Sequence, residues 1–400
     1  MNSIINIVIL YPSDPCSPLI GGIESFIRGL ILNSPKSIRY CLVGVTTDVK
    51  ARPVGRWVDC QIGDIKFKLF PLYAVKYRGK RSLIPATIIY ELAALFRMPD
   101  LVFADVIESH RIEHLLFHHI RKPFNLFLHQ NMAELDNSKS DILWKFAPKV
   151  YRFIERIVFK REGSIFCVRE DAVNAYKRIY PMYSDKFKFQ PTWMDEKVFF
   201  PVSSDVSSSI RYKLCDEYML DYSQPLALTV GRIDLQKDPF LMVRAIASVH
   251  EKGQLIQVIW IGDGVLKAQV MKKVKQLNLE SRFKFAGLKD SEYIANAIRG
   301  CDFFLMSSAY EGMPIAVLES LACGRPIVST CVGEVPRLIS NGENGFLAKP
   351  GDVSSLSSAI INMIKEGGKC TGKPCLDVAI KYRSYNVLQN VYRNYYKLLQ

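Results

Sequence analysis

The sequence predicts an α/β protein built twice, as two domains that each carry a parallel sheet with helices on both faces. Three observations lead there. Short runs rich in Val, Ile, Leu and Phe recur, each followed by a Gly or Pro turn and then a helical pattern. These runs are apolar throughout instead of alternating, as expected of strands buried on both faces. The series also pauses at a Ser-rich stretch, VSSDVSSS at 202–209, and then begins again.

In chain order the strand candidates are Ile5–Leu10, Tyr40–Val45, Leu101–Ala104, Asn125–Leu128 and Ser164–Val168. After the pause come Ala227–Val230, Gln257–Ile261, Phe283–Ala286, Phe303–Met306 and Pro326–Ser329. The expected division is a first domain at 1–195, a linker at 196–224, a second domain at 225–380 and a final helix at 381–400. That last segment sets Tyr385, Leu388, Val391, Tyr395 and Leu398 on one stripe and is expected to pack back onto the first domain.

Composition fits a globular chain with a large core: 400 residues, 49% hydrophobic and 23% charged. Its 53 Lys and Arg exceed 39 Asp and Glu, a net charge of +14 that calls for an anionic partner. Nucleic acid, an anionic membrane and phosphorylated small molecules all qualify. The longest apolar stretch, Leu83 to Phe96, is interrupted by Pro85 and Glu91 and is too short to span a bilayer. The opening MNSIINIVILYPSDP has no basic residue before its apolar run, so it reads as a first strand and not a secretory leader. Ten cysteines without a CxxC pair suit a reduced, cytoplasmic chain, although Cys370 and Cys375 flank a loop they could close.

Open α/β sheets bind ligands at the carboxyl ends of their strands, so chemistry belongs in the turns that follow them. The first such turn carries Gly21 and Gly22 and opens a helix, where a backbone free of Cβ atoms can approach an anion. The second, GRIDLQKDP at 231–239, sets Arg232 and Lys237 around a turn, with Pro239 suited to a helix start. A planar guanidinium and a compact ammonium can grip a diphosphate from two sides. In the third, Glu311 lies in a glycine turn and Glu319 on the helix after Pro314. Eight residues of helix would separate these carboxylates by about 12 Å, enough to hold hydroxyls at opposite ends of an extended ligand.

The Glu-x7-Glu element within SSAYEGMPIAVLESLACGRPIVST resembles the signature of retaining glycosyltransferases of family 4, which have the GT-B fold of two facing Rossmann-like domains. GGIE, GRIDLQKDP, WIGDG (260–264), FAGLKD (285–290) and GENGFL (342–347) follow in the family's order. The resemblance is close over 225–350 and looser over 1–200. It implies transfer of a sugar from a nucleotide-diphosphate donor with retention, needing no metal and no other cofactor. Arg232 and Lys237 would hold the diphosphate, and Glu311 would orient the sugar. The backbone of Gly312, Met313 and Pro314 would meet its hydroxyls or phosphate, and Glu319 would bind the ribose diol. Gly21, Gly22, Gly262 and Gly287 would line the donor. His129, in FLHQNMAE, would position the sugar or stabilise transition-state charge. The chain departs from the family where Thr192-Trp193 replaces a usual Asn-Gly and where GGVPE becomes Gly333-Glu334-Val335-Pro336-Arg337. Neither departure is expected to touch the diphosphate grip. Donor base, donor sugar, acceptor and oligomeric state are left open by these motifs.

The resemblance also implies a saccharide acceptor, lipid-linked, in the synthesis of lipopolysaccharide, O-antigen or exopolysaccharide. A soluble acceptor is the alternative. Two basic segments, 76–81 and 144–162, lie in the first half, which holds the larger share of the charge excess. The second reads as an amphipathic helix with Lys145, Lys149, Arg152, Arg156 and Lys160 on one stripe, suited either to an anionic membrane surface or to a solvated face over a core. His110, His114 and His118, with His119, recur at helical spacing, but no carboxylate completes a metal site there, and no DxD triplet appears. A nucleic-acid-binding protein finds no zinc-finger, RNP-like or helix-turn-helix pattern. A dinucleotide oxidoreductase fails because Gly262-Asp263-Gly264 lacks the third glycine of the fingerprint.

Overall fold

A computed structural model of the chain describes residues 4–17, 22–75, 86–116, 122–129 and 147–400. Gly21, the basic segment 76–81, His118, His119 and Lys145 lie outside the described residues. Two compact units are present: residues 1–191 with 384–400, and residues 192–383.

Among the described residues the first unit holds eight strands: β1 (Ile5–Leu10), β2 (Ile38–Thr46), β3 (Val58–Ile62), β4 (Ile65–Ala74), β5 (Val106–Ser109), β6 (Phe124–Leu128), β7 (Gly163–Cys167) and β8 (Phe187–Phe189). Their order is β3-β4-β2-β1-β5-β6-β7-β8, parallel except where β3 folds back on β4. Sequence reading missed that hairpin because its half-buried strands alternate: Lys66 and Lys68 face out while Phe67 and Leu69 face in. The run Leu101–Ala104 is not a strand. Val102 is 75% exposed and Phe103 42% exposed, and the strand that pairs with β1 on this side is VIES, five residues on. Its Glu108 and Ser109 made it look unlike a core strand, yet both are fully buried.

The C-terminal helix Ser384–Leu398 belongs to this first unit. It buries Val387, Leu388, Val391, Tyr392 and Tyr395, and its Asn394 donates to Asn125 at 2.8 Å. Tyr385, placed on the packing stripe by helical periodicity, is 70% exposed instead, because the buried face runs through Val387 and Val391.

The second unit holds β9 (Leu226–Val230), β10 (Gln257–Ile261), β11 (Phe283–Gly287), β12 (Phe303–Met306), β13 (Ile327–Thr330) and β14 (Gly345–Ala348), all parallel, in the order β11-β10-β9-β12-β13-β14. Renumbered within the unit this is 3-2-1-4-5-6, the doubly wound Rossmann order, with its switch point between β9 and β12. Both faces are covered. Leu228, Ile259 and Phe304 pack under helices Ser291–Gly300 and Ile315–Ala322, while Ala227, Val258 and Leu305 pack under Pro239–Glu251 and Val353–Cys370.

The segment 196–224 is not a bare linker. Ser203 caps a helix, Ser204–Tyr218, by accepting from the Val206 amide, and Leu214 and Cys215 bury against the second unit's core. Its polar outer face hid the periodicity.

Candidate active site

The chemistry of the second unit gathers at its switch point. β9 and β12 pair only at Ala227 with Phe303 and Leu228 with Phe304, so the loops leaving their carboxyl ends emerge side by side. After β9, Gly231 adopts φ +150°, and after β10, Gly262 adopts φ +147°. A Cβ on Gly262 would sit 2.0 Å from the Gly231 carbonyl, so only glycine lets these two turns touch. The Gly231 amide donates to Ile261 at 3.0 Å and that of Gly262 to Gly287 at 2.8 Å, locking three strand ends together.

On this base the turn 231–238 is fixed by its own polar groups. Asp234 accepts from the Lys237 amide, and Asp238, at φ 41°, accepts from the Leu241 amide and caps the helix that Pro239 starts. The β12 turn is tied to it. Ala309 donates to the Gln236 carbonyl at 2.8 Å, and Ser307 Oγ donates to the carbonyls of Lys237 at 2.8 Å and Asp238 at 3.0 Å.

The result is a direct ion pair between two residues the sequence singled out separately: Lys237 Nζ lies 2.6 Å from Glu311 Oε1. Ser308 Oγ donates to the same oxygen at 2.7 Å and Gln236 Nε2 to Oε2 at 3.3 Å. Arg232 is 61% exposed on its side chain, bonded to Gln236 at 3.1 Å and 3.3 Å from Asp234. Sequence reading missed Gln236 and Ser308, because a glutamine and a serine inside turns carry no pattern of their own. Their adjacency to Lys237 and Glu311 was the available signal.

The interval from Glu311 to Glu319 is not one helix. Gly312 to Pro314 form a turn, and the helix starts at Ile315 with Pro314 as its cap, so the 12 Å estimate does not apply. Pro314 has no N–H to offer a ligand, and the Met313 carbonyl already accepts from Thr192 Oγ1 at 3.2 Å. Both departures from the family pattern abut this turn. Thr192 holds Met313, and the Glu334 amide donates to Gly312 at 2.9 Å beside Gly333 at φ 57°. They leave the Arg232–Lys237 turn untouched. Glu319 is half-buried, and burial pushes its carboxyl up to about 8, with the Asp195 carboxylate adding to the rise.

In the first unit, Gly22 opens the helix Gly22–Leu32 that follows β1. His129 directly follows β6, half-buried against Phe26, and His110 directly follows β5. The four-residue histidine spacing is not one helical face. His110 sits in the bend after β5 and contacts His129, with Nδ1 2.8 Å from Nε2, whereas His114, in the short helix Glu113–Leu116, pairs with Glu91. No cluster of three or more His, Cys, Asp or Glu side chains suited to a metal occurs among the described residues.

Residues 216–372 match the family model of glycosyl transferases group 1 and contain Arg232, Lys237, Glu311 and Glu319. The matched stretch lies wholly within the second unit. Over the whole chain the fold class is GT-B: sucrose-phosphate synthase from Thermosynechococcus elongatus superposes with a TM-score of 0.78 over 98% of this chain and 99% of its own, at 17% identity. Among curated relatives, the N-acetyl-alpha-D-glucosaminyl L-malate synthase of Bacillus anthracis is 27% identical over 174 residues, 44% of this chain and 43% of the relative. The UDP-Gal:alpha-D-GlcNAc-diphosphoundecaprenol alpha-1,3-galactosyltransferase of Escherichia coli is 26% identical over 220 residues, 54% of each chain. The chain thus spans about half the length of the curated relatives it matches.

Proposed function

We propose that the protein is a retaining, metal-independent glycosyltransferase. It takes a sugar from a nucleotide-diphosphate donor and adds it to a lipid-linked saccharide in cell-surface polysaccharide synthesis, at the cytoplasmic face of the membrane. The observation that carries the reading is the Lys237–Glu311 pair at a Rossmann switch point, with Arg232 beside it and Glu319 on the next helix.

Each residue has a task that follows from its chemistry. Transfer leaves negative charge on the departing diphosphate, and fixed cations offset it without a metal. Arg232 is exposed and forked, so it meets phosphate oxygens without first breaking a strong buried pair. Lys237 is held by Glu311, whose Oε1 is itself fixed by Ser308, and is pre-set where the charge develops. Among the described residues, Glu311 Oε2 is engaged only by the long Gln236 contact of 3.3 Å, leaving acceptor capacity for a sugar hydroxyl. Glu319 takes the ribose diol, and desolvation strengthens those hydrogen bonds. Gly22 and its helix N-terminus favour the donor's anionic end, and His129 serves the reacting sugar.

The lipid-linked acceptor and the membrane are supported by the helix Pro148–Phe159. Its outward face exposes Val150 (52%), Phe153 (62%) and Ile157 (39%) among exposed Lys149, Arg156 and Lys160. Apolar side chains ringed by cations suit insertion at an anionic bilayer surface. No described helix is long and apolar enough to cross a membrane. The E. coli relative is named for a UDP-galactose donor and a diphosphoundecaprenol-linked acceptor, and a pair of that kind is the one to offer first.

The test is a transfer assay with UDP-, GDP- and ADP-sugars against lipid-linked and soluble saccharides, with NMR of the product's anomeric proton. Label in the lipid fraction with the donor's anomeric configuration retained supports the reading. Transfer to soluble acceptors alone overturns the lipid-linked part, and inversion overturns the mechanism.

A further inference from the structure

A buried hydrogen-bond chain leads from the C-terminal helix to His129, and its polarity is not fixed by the fold. Tyr40 on β2 donates to Tyr395 at 3.2 Å, and Tyr395 donates to Glu108 Oε2 on β5. Glu108 Oε1 lies 3.1 Å from His110 Nε2, and His110 Nδ1 lies 2.8 Å from His129 Nε2. Glu108 and Tyr395 are fully buried and His110 is 3% exposed, so of this chain only His129 opens towards solvent. All of these groups belong to the first unit.

A neutral imidazole donates from one nitrogen and accepts at the other, so the chain admits two arrangements. With Glu108 protonated, its O–H donates to His110 Nε2, His110 Nδ1–H donates to His129 Nε2, and His129 carries its own proton on Nδ1. With Glu108 ionised, His110 Nε2–H donates to the carboxylate, His129 Nε2–H donates to His110 Nδ1, and His129 Nδ1 is a bare lone pair. Passing from the first to the second releases one proton in all. The carboxyl proton moves to His110 Nε2, the His110 Nδ1 proton moves to His129 Nε2, and the His129 Nδ1 proton departs.

We propose that Glu108 and His110 are positioning residues for His129: the proton content of the Glu108 carboxyl sets whether the free His129 nitrogen donates or accepts. Resting on the transferase reading, this makes His129 a donor that can give up a proton while the negative charge stays on a buried carboxylate two groups away. Burial pushes Glu108 up to about 8, with the Tyr395 hydroxyl acting against the rise, which puts the changeover just above neutral pH. The rings stay neutral throughout, since burial holds His110 down at about 3 and His129 well below its usual value. Among the described residues, the other titratable or charged groups that face these side chains are Tyr11 after β1, Tyr392 on the C-terminal helix, and Arg111 and His114 beside the histidines.

The experiment is long-range 15N NMR of the full chain labelled at its six histidines, read between pH 6 and 9.5, with His129→Gln to assign the resonance. Wild type is expected to move from the Nδ1–H to the Nε2–H tautomer of His129 as pH rises. Glu108→Gln, which cannot ionise, keeps Nδ1–H throughout. Tyr395→Phe removes a donor that stabilises the carboxylate and raises the midpoint by about one pH unit or more. A His129 tautomer that ignores pH in wild type, or a midpoint that neither variant changes, overturns the proposal. Because the readout needs no substrate, a tautomer that follows Glu108 in a protein without transfer activity contradicts the transferase reading alone.

Discussion

Glu311 and Lys237 show what the sequence left out: their places in turns after strands were legible, their partnership was not. An ion pair bridging residues 237 and 311 depends on β9 and β12 being neighbours, which no local pattern states. The same holds for His129, legible as a residue after a strand, whose partner His110 sits on another strand end. Removing Lys237 leaves a buried Glu311 carboxylate unpaired, so Lys237→Ala is expected to lower turnover by about 100-fold or more, and steady-state kinetics on the donor check it. Glu319 and Glu108 both have carboxyls raised to about 8 by burial. A folded-state value above the unfolded one means that stability is full below the unfolded value and is lost as pH rises through the folded one. Each therefore removes up to about 1.4 kcal/mol per pH unit between roughly pH 4.5 and 8. Urea melts at pH 5, 6, 7, 8 and 9 should show Glu319→Gln and Glu108→Gln gaining on wild type as pH rises, with the gain levelling off above 8. Cys16 is a further case, its thiol lowered to about 7 by the hydrogen bond with Cys60 and by Arg52, against burial. Cys60→Ala should slow alkylation of Cys16 at pH 7 several-fold, read by mass spectrometry.

At the scale of elements, the strands the sequence revealed best are those buried on both faces, such as β1, β10 and β12, where composition alone marks them. The misses have physical causes. The β3–β4 hairpin lies at the sheet edge and alternates, and β5 carries a buried Glu108 that partners from the C-terminal helix and from His110 make tolerable. The glycine turns were visible as motifs, but their function in the fold emerges from geometry. Gly262→Ala places a Cβ against the Gly231 carbonyl at a backbone angle that alanine rarely adopts, so it should cost about 2 kcal/mol or more in a urea melt and weaken nucleotide binding with it. The helix Pro148–Phe159 was expected to offer a basic face, and Phe153 stands exposed beside its cations. Phe153→Asp should reduce flotation with anionic liposomes without changing the far-UV spectrum. Equal flotation of both proteins would remove this helix from the membrane account.

Across the whole molecule, the net charge of +14 divides into parts with different chemistry. Arg232 and Lys237 stand at a Rossmann switch point that the family match covers, whereas Lys149, Arg156 and Lys160 surround an exposed apolar face in the other unit. Two Rossmann-like sheets were legible from apolar runs, and the segment at 196–224 was not, because a helix with a polar outer face reads like a linker. The central claim is that the second unit grips a nucleotide diphosphate through Lys237 and Arg232 at one end and Glu319 at the other. Calorimetric titration of UDP, GDP and ADP into wild type, Lys237→Ala and Glu319→Ala tests it most directly. The account predicts that one nucleotide binds wild type and that each variant weakens it at least about tenfold, with Glu319→Ala losing selectivity for the ribose over the 2′-deoxyribose form. Equal affinity for wild type and both variants would contradict it.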